Sequence, residues 1–184
     1  MGSEQRQSVM DKRGVERALA RMAHELVERN NGVDNLCLMG IQRRGVQIAA
    51  ALAAEIERAE GTRPILGTLD ITLYRDDLSA IGPRPVLGET RLPEGGIDGR
   101  RVVIVDDVFY TGRTARAAMD ELSDFGRPDR IYLCVLIDRG GRELPIQPDV
   151  VGRTVEASPG QRVEVRVPEI DGSLGVELIN GGSA

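Results

Sequence analysis

Apolar runs separated by polar junctions recur along the chain with two different periods. Arg101 to Val105 is a short β-branched run bounded by polar residues, the pattern of a strand buried on both faces of a parallel sheet. After it the period changes. Ala115, Ala118, Met119, Leu122 and Phe125 fall at helical spacing, Arg116, Asp120, Glu121 and Asp124 take the opposite face, and Gly126 with Pro128 beyond it stops the helix. Upstream, Val15, Leu19, Met22 and Leu26, with Ala18 beside them, predict an amphipathic helix from about Met10 to Arg29. Leu36 to Met39 reads as a short strand, and Val46, Ala49, Ala53 and Ile56 set the inward face of a second helix. Ile65 to Tyr74 reads as a strand whose latter half alternates Leu69, Ile71 and Leu73 with Asp70, Thr72 and Tyr74. Ile131 to Ile137 is the most apolar strand; Val163, Val165 and Val167 alternate in a late one, and Val176 to Ile179 predicts another.

The order helix, strand, helix, strand, loop, strand, helix, strand predicts an α/β fold with a mainly parallel central sheet flanked by helices. At 184 residues a single domain over residues 1–184 is expected. Residues 1–9 read as a loose polar tail. The stretch from Arg75 to Gly99, rich in Gly, Pro and charge, reads as a lid loop or, in part, an exposed hairpin. No apolar run approaches the roughly 20 residues of a membrane helix, and the N-terminal MGSEQRQS lacks the apolar centre of a signal peptide, so no membrane association and a cytoplasmic location are expected.

Composition narrows the chemistry. Hydrophobic residues make up 41% and charged residues 29%, ordinary for a globular protein, and the net charge of −5 argues against non-specific nucleic-acid binding by the whole surface. Lys12 is the only lysine, which excludes a Walker-type or Schiff-base lysine within the fold. His24 is the only histidine, which removes His-rich zinc sites and disfavours a Ser-His-Asp triad. Cys37 and Cys134 sit in the apolar runs LCLM and YLCVLI and read as buried small hydrophobes. The polar face of the first helix carries Arg13, Arg17, Arg21, His24 and Glu28, either a solvated face or a basic surface for a partner such as RNA.

Three polar clusters each follow an apolar strand directly. Asp106 to Thr114 places two carboxylates and Thr111-Gly112-Arg113-Thr114 at a strand-to-helix junction, where backbone N–H groups, hydroxyls and the positive end of a helix dipole suit a phosphate. The two acids would repel a bare phosphate, so the expected ligand carries hydroxyls or a metal ion beside it. Gln42 to Gly45 holds an arginine pair, which is either a second anion site or a plain surface loop. Asp138 to Arg142 is the third. In a parallel sheet, ligands bind outside the carboxyl ends of the strands, so the three clusters should face one crevice. Neither Gly-x-x-x-x-Gly-Lys nor Gly-x-Gly-x-x-Gly accompanies them, leaving a sugar phosphate bearing pyrophosphate as the ligand that fits.

Val103 to Thr114, VIVDDVFYTGRT, resembles the phosphoribosyl-pyrophosphate motif of type I phosphoribosyltransferases. Leu69 to Asp77, LDITLYRDD, and Asp138 to Ile146, DRGGRELPI, are similar to hallmarks of the PyrR family, bifunctional pyrimidine-operon attenuation regulators with uracil phosphoribosyltransferase activity. The similarity runs from about Arg17 to the C-terminal strands. It implies the type I phosphoribosyltransferase fold with a small C-terminal β hood, and synthesis of UMP and pyrophosphate from uracil and phosphoribosyl pyrophosphate with Mg2+. Residue by residue, it implies that Asp106 and Asp107 bind the ribose hydroxyls and their magnesium, and that Thr111, Gly112, Arg113 and Thr114 hold the 5′-phosphate. Val108, Phe109 and Tyr110 complete the substrate-binding motif. Arg43 and Arg44 would face the pyrophosphate, with Arg44 joining the two acids as catalytic residues; Arg139 would contact nucleotide, and Val163 would close over the base. The lid would keep water from the oxocarbenium-like ribose.

The resemblance also implies other uridine or guanosine nucleotides as ligands, pyrimidine-operon mRNA as a partner contacted by Arg21, His24 and Arg142, and a homodimer or homotetramer. The family usually has Thr at Arg43 and Leu at Phe109, and many members have Thr at Ala20 and His at Gly141. Two alternatives stand beside the enzyme reading: an RNA-binding regulator that keeps the site only to sense UMP, and a transferase for another base.

Overall fold

The computed structural model describes residues 5–76 and 88–181. In chain order the elements are β1 (Arg6–Met10), α1 (Lys12–Asn30), β2 (Leu36–Ile41), α2 (Arg44–Glu60), β3 (Ile65–Leu69), a 3-10 turn (Thr72–Tyr74), β4 (Arg101–Phe109), α3 (Arg113–Phe125), β5 (Arg130–Asp138), β6 (Val150–Thr154), β7 (Gln161–Arg166), a helical turn (Pro168–Asp171) and β8 (Gly175–Asn180). The main sheet has the order β3-β2-β4-β5-β6, and every neighbouring pair in it is parallel. All six residues of β2 are buried, as two-sided cover requires.

Alternation along β4 divides the interior. Val103 and Val105 pack with α1 and α2 in one core, whereas Val102 and Ile104 pack with α3 in the other. The expected mainly parallel α/β sheet flanked by helices is therefore what forms. Among the described residues, no helix is long and apolar enough to cross a membrane.

Several boundaries differ from those expected. Residues 6–10 are not a loose tail, because β1 pairs antiparallel with β8 in a second sheet of order β1-β8-β7. Met10 is buried, and Arg6 ion-pairs with Glu164 at 3.3 Å and Glu177 at 2.9 Å. The hood is thus built from both ends of the chain. The strand expected up to Tyr74 stops at Leu69: the Asp70 carboxylate accepts the backbone N–H and hydroxyl of Thr72, drawing the chain into the 3-10 turn and leaving Leu73 62% exposed. β4 runs on to Phe109, so both acids lie within the strand. β6 has no counterpart among the expected elements; among the described residues it is an edge strand paired with β5. Of the Arg75 to Gly99 segment read as a lid or hairpin, residues 77–87 lie outside the described residues. Its second half forms one antiparallel bridge, between Thr68 and Arg91.

Where that segment returns it meets a buried acid. Glu121 of α3 is 2% exposed; Thr90 donates its hydroxyl to one carboxyl oxygen, and the other has no partner. Burial first, then the charges of Asp70 and Asp124, raise its pKa. A carboxyl whose pKa is raised by folding contributes stability below its unfolded pKa and loses it as pH rises through the folded one. Thermal melts across pH should therefore show wild type falling relative to Glu121→Gln as pH climbs above the ordinary carboxylate range. Parallel curves would refute this account.

Candidate active site

β2, β4 and β5 are neighbours in the sheet and all parallel, so their carboxyl ends lie side by side. The three polar clusters expected to share a crevice leave from those ends. The central one, after β4, turns at Gly112, whose φ of 96° is accessible to glycine and costly for other residues. A Cβ there would also press on Leu144 at 3.4 Å. Arg113 then opens α3, which points its N-terminal end and dipole at the loop. Thr111 accepts the Arg113 N–H with its hydroxyl at 3.3 Å, and its carbonyl accepts N–H bonds from Glu143 and Leu144, tying the turn after β5 to this cradle. Phe109 is buried in the α3-side core, and with Gly112 and Leu133 it lines a cavity of about 120 Å³ beneath the cradle.

Asp106 and Asp107 are consecutive residues of β4, and their carboxyls lie within hydrogen-bonding reach of each other. Each carboxylate accepts the N–H of the next residue at 2.9 Å. Burial, with the adjacent Asp107 charge adding to it, pushes the Asp106 carboxyl well above the usual carboxylate range. Asp107 acts electrostatically on Arg44, which begins α2 at the end of β2. Arg44 is half-buried and grips Asp171 of the hood with Nε to Oδ2 at 3.2 Å and Nη2 to Oδ1 at 2.8 Å. Arg43 is exposed beside it, after a cis peptide.

The third cluster adds Arg139, whose guanidinium lies 3.9 Å from the centre of the Tyr110 ring with its Nε buried and unpartnered. Both residues line a cleft of about 470 Å³ with Gly140, Gly141 and residues 157–161. Arg113, expected to hold phosphate, ion-pairs with Asp76 and with Glu143 at 3.1 Å, beside a cleft of about 340 Å³ that Thr111 and Thr114 also line. Val163 sits in β7 against the α1 and α2 core and is not among the residues lining these clefts.

Residues 5–169 match the phosphoribosyl transferase domain family. The chain is 53% identical over 174 residues to the bifunctional protein PyrR of Roseiflexus sp. (strain RS-1), covering 95% of this chain and 93% of that one. It is 55% identical over 164 residues to the bifunctional protein PyrR of Thermus aquaticus, covering 89% and 90%. The chain belongs to the PyrR family. Its backbone also follows that of the hypoxanthine phosphoribosyltransferase of Trypanosoma cruzi, with a TM-score of 0.70, 17% identity, and 96% of this chain and 97% of that one covered. That likeness shows a shared phosphoribosyltransferase fold.

Of the residues expected to contact RNA, two lie on α1 and one in the turn after β5. Arg21 donates to the backbone carbonyls of Val151 at 3.0 Å and Gly152 at 2.5 Å, fastening α1 to β6. His24 is exposed on the same helix. Arg142 is exposed in the turn after β5 and donates to Gln147; the neighbouring Ile146 packs on the α3 side, away from α1. Gly141 abuts the Tyr110 ring: a Cβ would lie 2.5 Å from it. A side chain there requires Tyr110 to move.

Among the described residues no three His, Cys, Asp or Glu gather into a metal-holding group. Two adjacent carboxylates nonetheless fit magnesium, which binds proteins through one or two carboxylates and takes its other oxygens from substrate phosphates and water. One further residue of the site gave no sequence signal. Asp171 lies in a short turn between late strands, and only the fold brings it to Arg44.

Proposed function

We propose that this PyrR-family chain transfers the phosphoribosyl group of phosphoribosyl pyrophosphate to uracil, giving UMP and pyrophosphate. The observation that carries this reading is the convergence, at the ends of neighbouring strands β2, β4 and β5, of a helix-N-terminal cradle, a carboxylate pair and a separate arginine loop. In this reading Thr111 to Thr114 and the start of α3 hold the 5′-phosphate, Asp106 and Asp107 hold the ribose hydroxyls, and Arg43 and Arg44 take the pyrophosphate. Asp106 and Asp107 would hold magnesium brought in with the substrate, and the ion would supply positive charge against that of the leaving group. As the C1–O bond breaks, the ribose becomes oxocarbenium-like; Asp107 is placed to stabilise that charge, and the arginines to stabilise the charge gathering on pyrophosphate. Uracil N1 then attacks C1, and its proton leaves with the pyrophosphate.

Uracil as the base rests on the PyrR relationship. Assay of UMP formation with magnesium, with hypoxanthine and orotate as competitors, tests it. Turnover with uracil that neither competitor suppresses is expected; transfer to another base in preference would overturn the specificity.

The name bifunctional borne by the relatives supports a second role, UMP-dependent binding of pyrimidine-operon mRNA by a cytoplasmic homodimer or homotetramer. Because Arg21 holds β6, the informative substitutions are His24→Ala and Arg142→Ala. Together they are expected to weaken UMP-dependent retention of leader RNA on a filter while UMP synthesis persists. Retention equal to wild type would remove these residues from the RNA surface.

A further inference from the structure

Resting on that reading, we propose that Asp171 of the hood is a positioning residue for Arg44, holding one edge of the guanidinium so that the other edge is presented to pyrophosphate. A guanidinium has five N–H donors in a planar fork. Asp171 takes one from Nε and one from Nη2, at 3.2 and 2.8 Å, which leaves the outer Nη1 and Nη2 edge for a ligand. Asp171 is itself fixed. Its Oδ2 also accepts the Val167 N–H at 2.8 Å, and its own N–H donates to the Val167 carbonyl at 2.7 Å, closing the turn on which it sits.

An arginine side chain otherwise spreads over many rotamers, and gathering them at the moment of binding costs affinity. The acidic surroundings favour a held rather than a wandering cation, since Asp107 and Glu164 act on Arg44 as well as Asp171. The Arg44 hydrogen bonds in turn hold the Asp171 carboxyl below the usual carboxylate range, so the clamp keeps its charge at neutral pH. Asp171 also connects two ends of the site. Its turn joins β7, which bears Val163, to β8, so the arginine of the pyrophosphate loop and the hood are held in one geometry.

Kinetics of UMP formation in a double-mutant cycle test the assignment. Asp171→Asn should raise the KM for phosphoribosyl pyrophosphate about tenfold and leave that for uracil within about twofold. Adding Asp171→Asn to Arg44→Ala should cost nothing further, because a group that acts only through Arg44 has no effect without it. Additive losses, or an unchanged KM in Asp171→Asn, overturn the positioning role while leaving the transferase reading in place. Absence of UMP formation by wild type overturns both. If Asp171→Asn does not fold, Asp171→Glu keeps the charge and displaces it by one methylene; a smaller rise in the same KM is expected there, and a wild-type value overturns the proposal.

Discussion

Asp107→Asn is expected to lower the rate of UMP formation by more than about tenfold, the usual loss when a group that stabilises developing charge is removed, while the melting temperature stays near that of wild type. The two expectations come from different parts of the geometry. The Asp107 carboxylate accepts the Val108 N–H, a bond that an asparagine carbonyl can keep. Its side chain is half-buried and belongs to neither apolar core. Nothing in the packing therefore depends on its charge. In the proposed reaction the charge matters, because the acid lies near the end of β4, which the cradle at the start of α3 follows, and acts on the arginine that opens α2. Arg44→Ala is expected to lose turnover to a similar degree from the other side of the crevice. Steady-state rates of both variants, with thermal melts as the control, decide the matter; unchanged turnover in both would refute the shared crevice.

Much of this site could be read from the chain, for physical reasons that particular residues make plain. The β-branched run ending at Val105 and the helical period beginning at Ala115 fix a strand and a helix by local patterning alone, so the junction between them, with its acids and Thr-Gly-Arg-Thr segment, could be placed before any contact was known. Parallel pairing then brings the ends of β2, β4 and β5 together, because strands joined by crossover helices all point the same way.

What resisted reading was long-range. β1 is five mostly polar residues whose partner, β8, lies at the other end of the chain. Arg21 has the pattern of a solvated basic face, and only the edge strand β6, which has no clear signal of its own, presents two carbonyls to it. Arg113 carries the position expected of a phosphate ligand and pairs with Asp76 and Glu143, one just after the 3-10 turn and one from the turn after β5. Local pattern names a side chain's surroundings only when they lie on the same element.

Gly45→Ala is expected to abolish most of the activity by moving backbone rather than by removing a functional group. A Cβ at this position would lie 2.5 Å from the Val105 carbonyl oxygen and 3.3 Å from the Asp106 Cα. Both are main-chain atoms of β4, so no side-chain rotation can relieve the contact. The first turn of α2 must instead move away from the end of β4, and Arg44, the residue before it, moves too. Forcing atoms into a packed interior costs about 1 to 3 kcal/mol, a loss that a folded domain can survive. A displacement of about 1 Å between reacting groups can cost about a hundredfold in rate. The expected result is therefore a protein that still unfolds cooperatively in urea, at a lower midpoint, with UMP formation down by more than about tenfold. A Gly45→Ala protein with reduced stability but full turnover would show that the spacing between the arginine loop and the carboxylate pair is not what sets the rate.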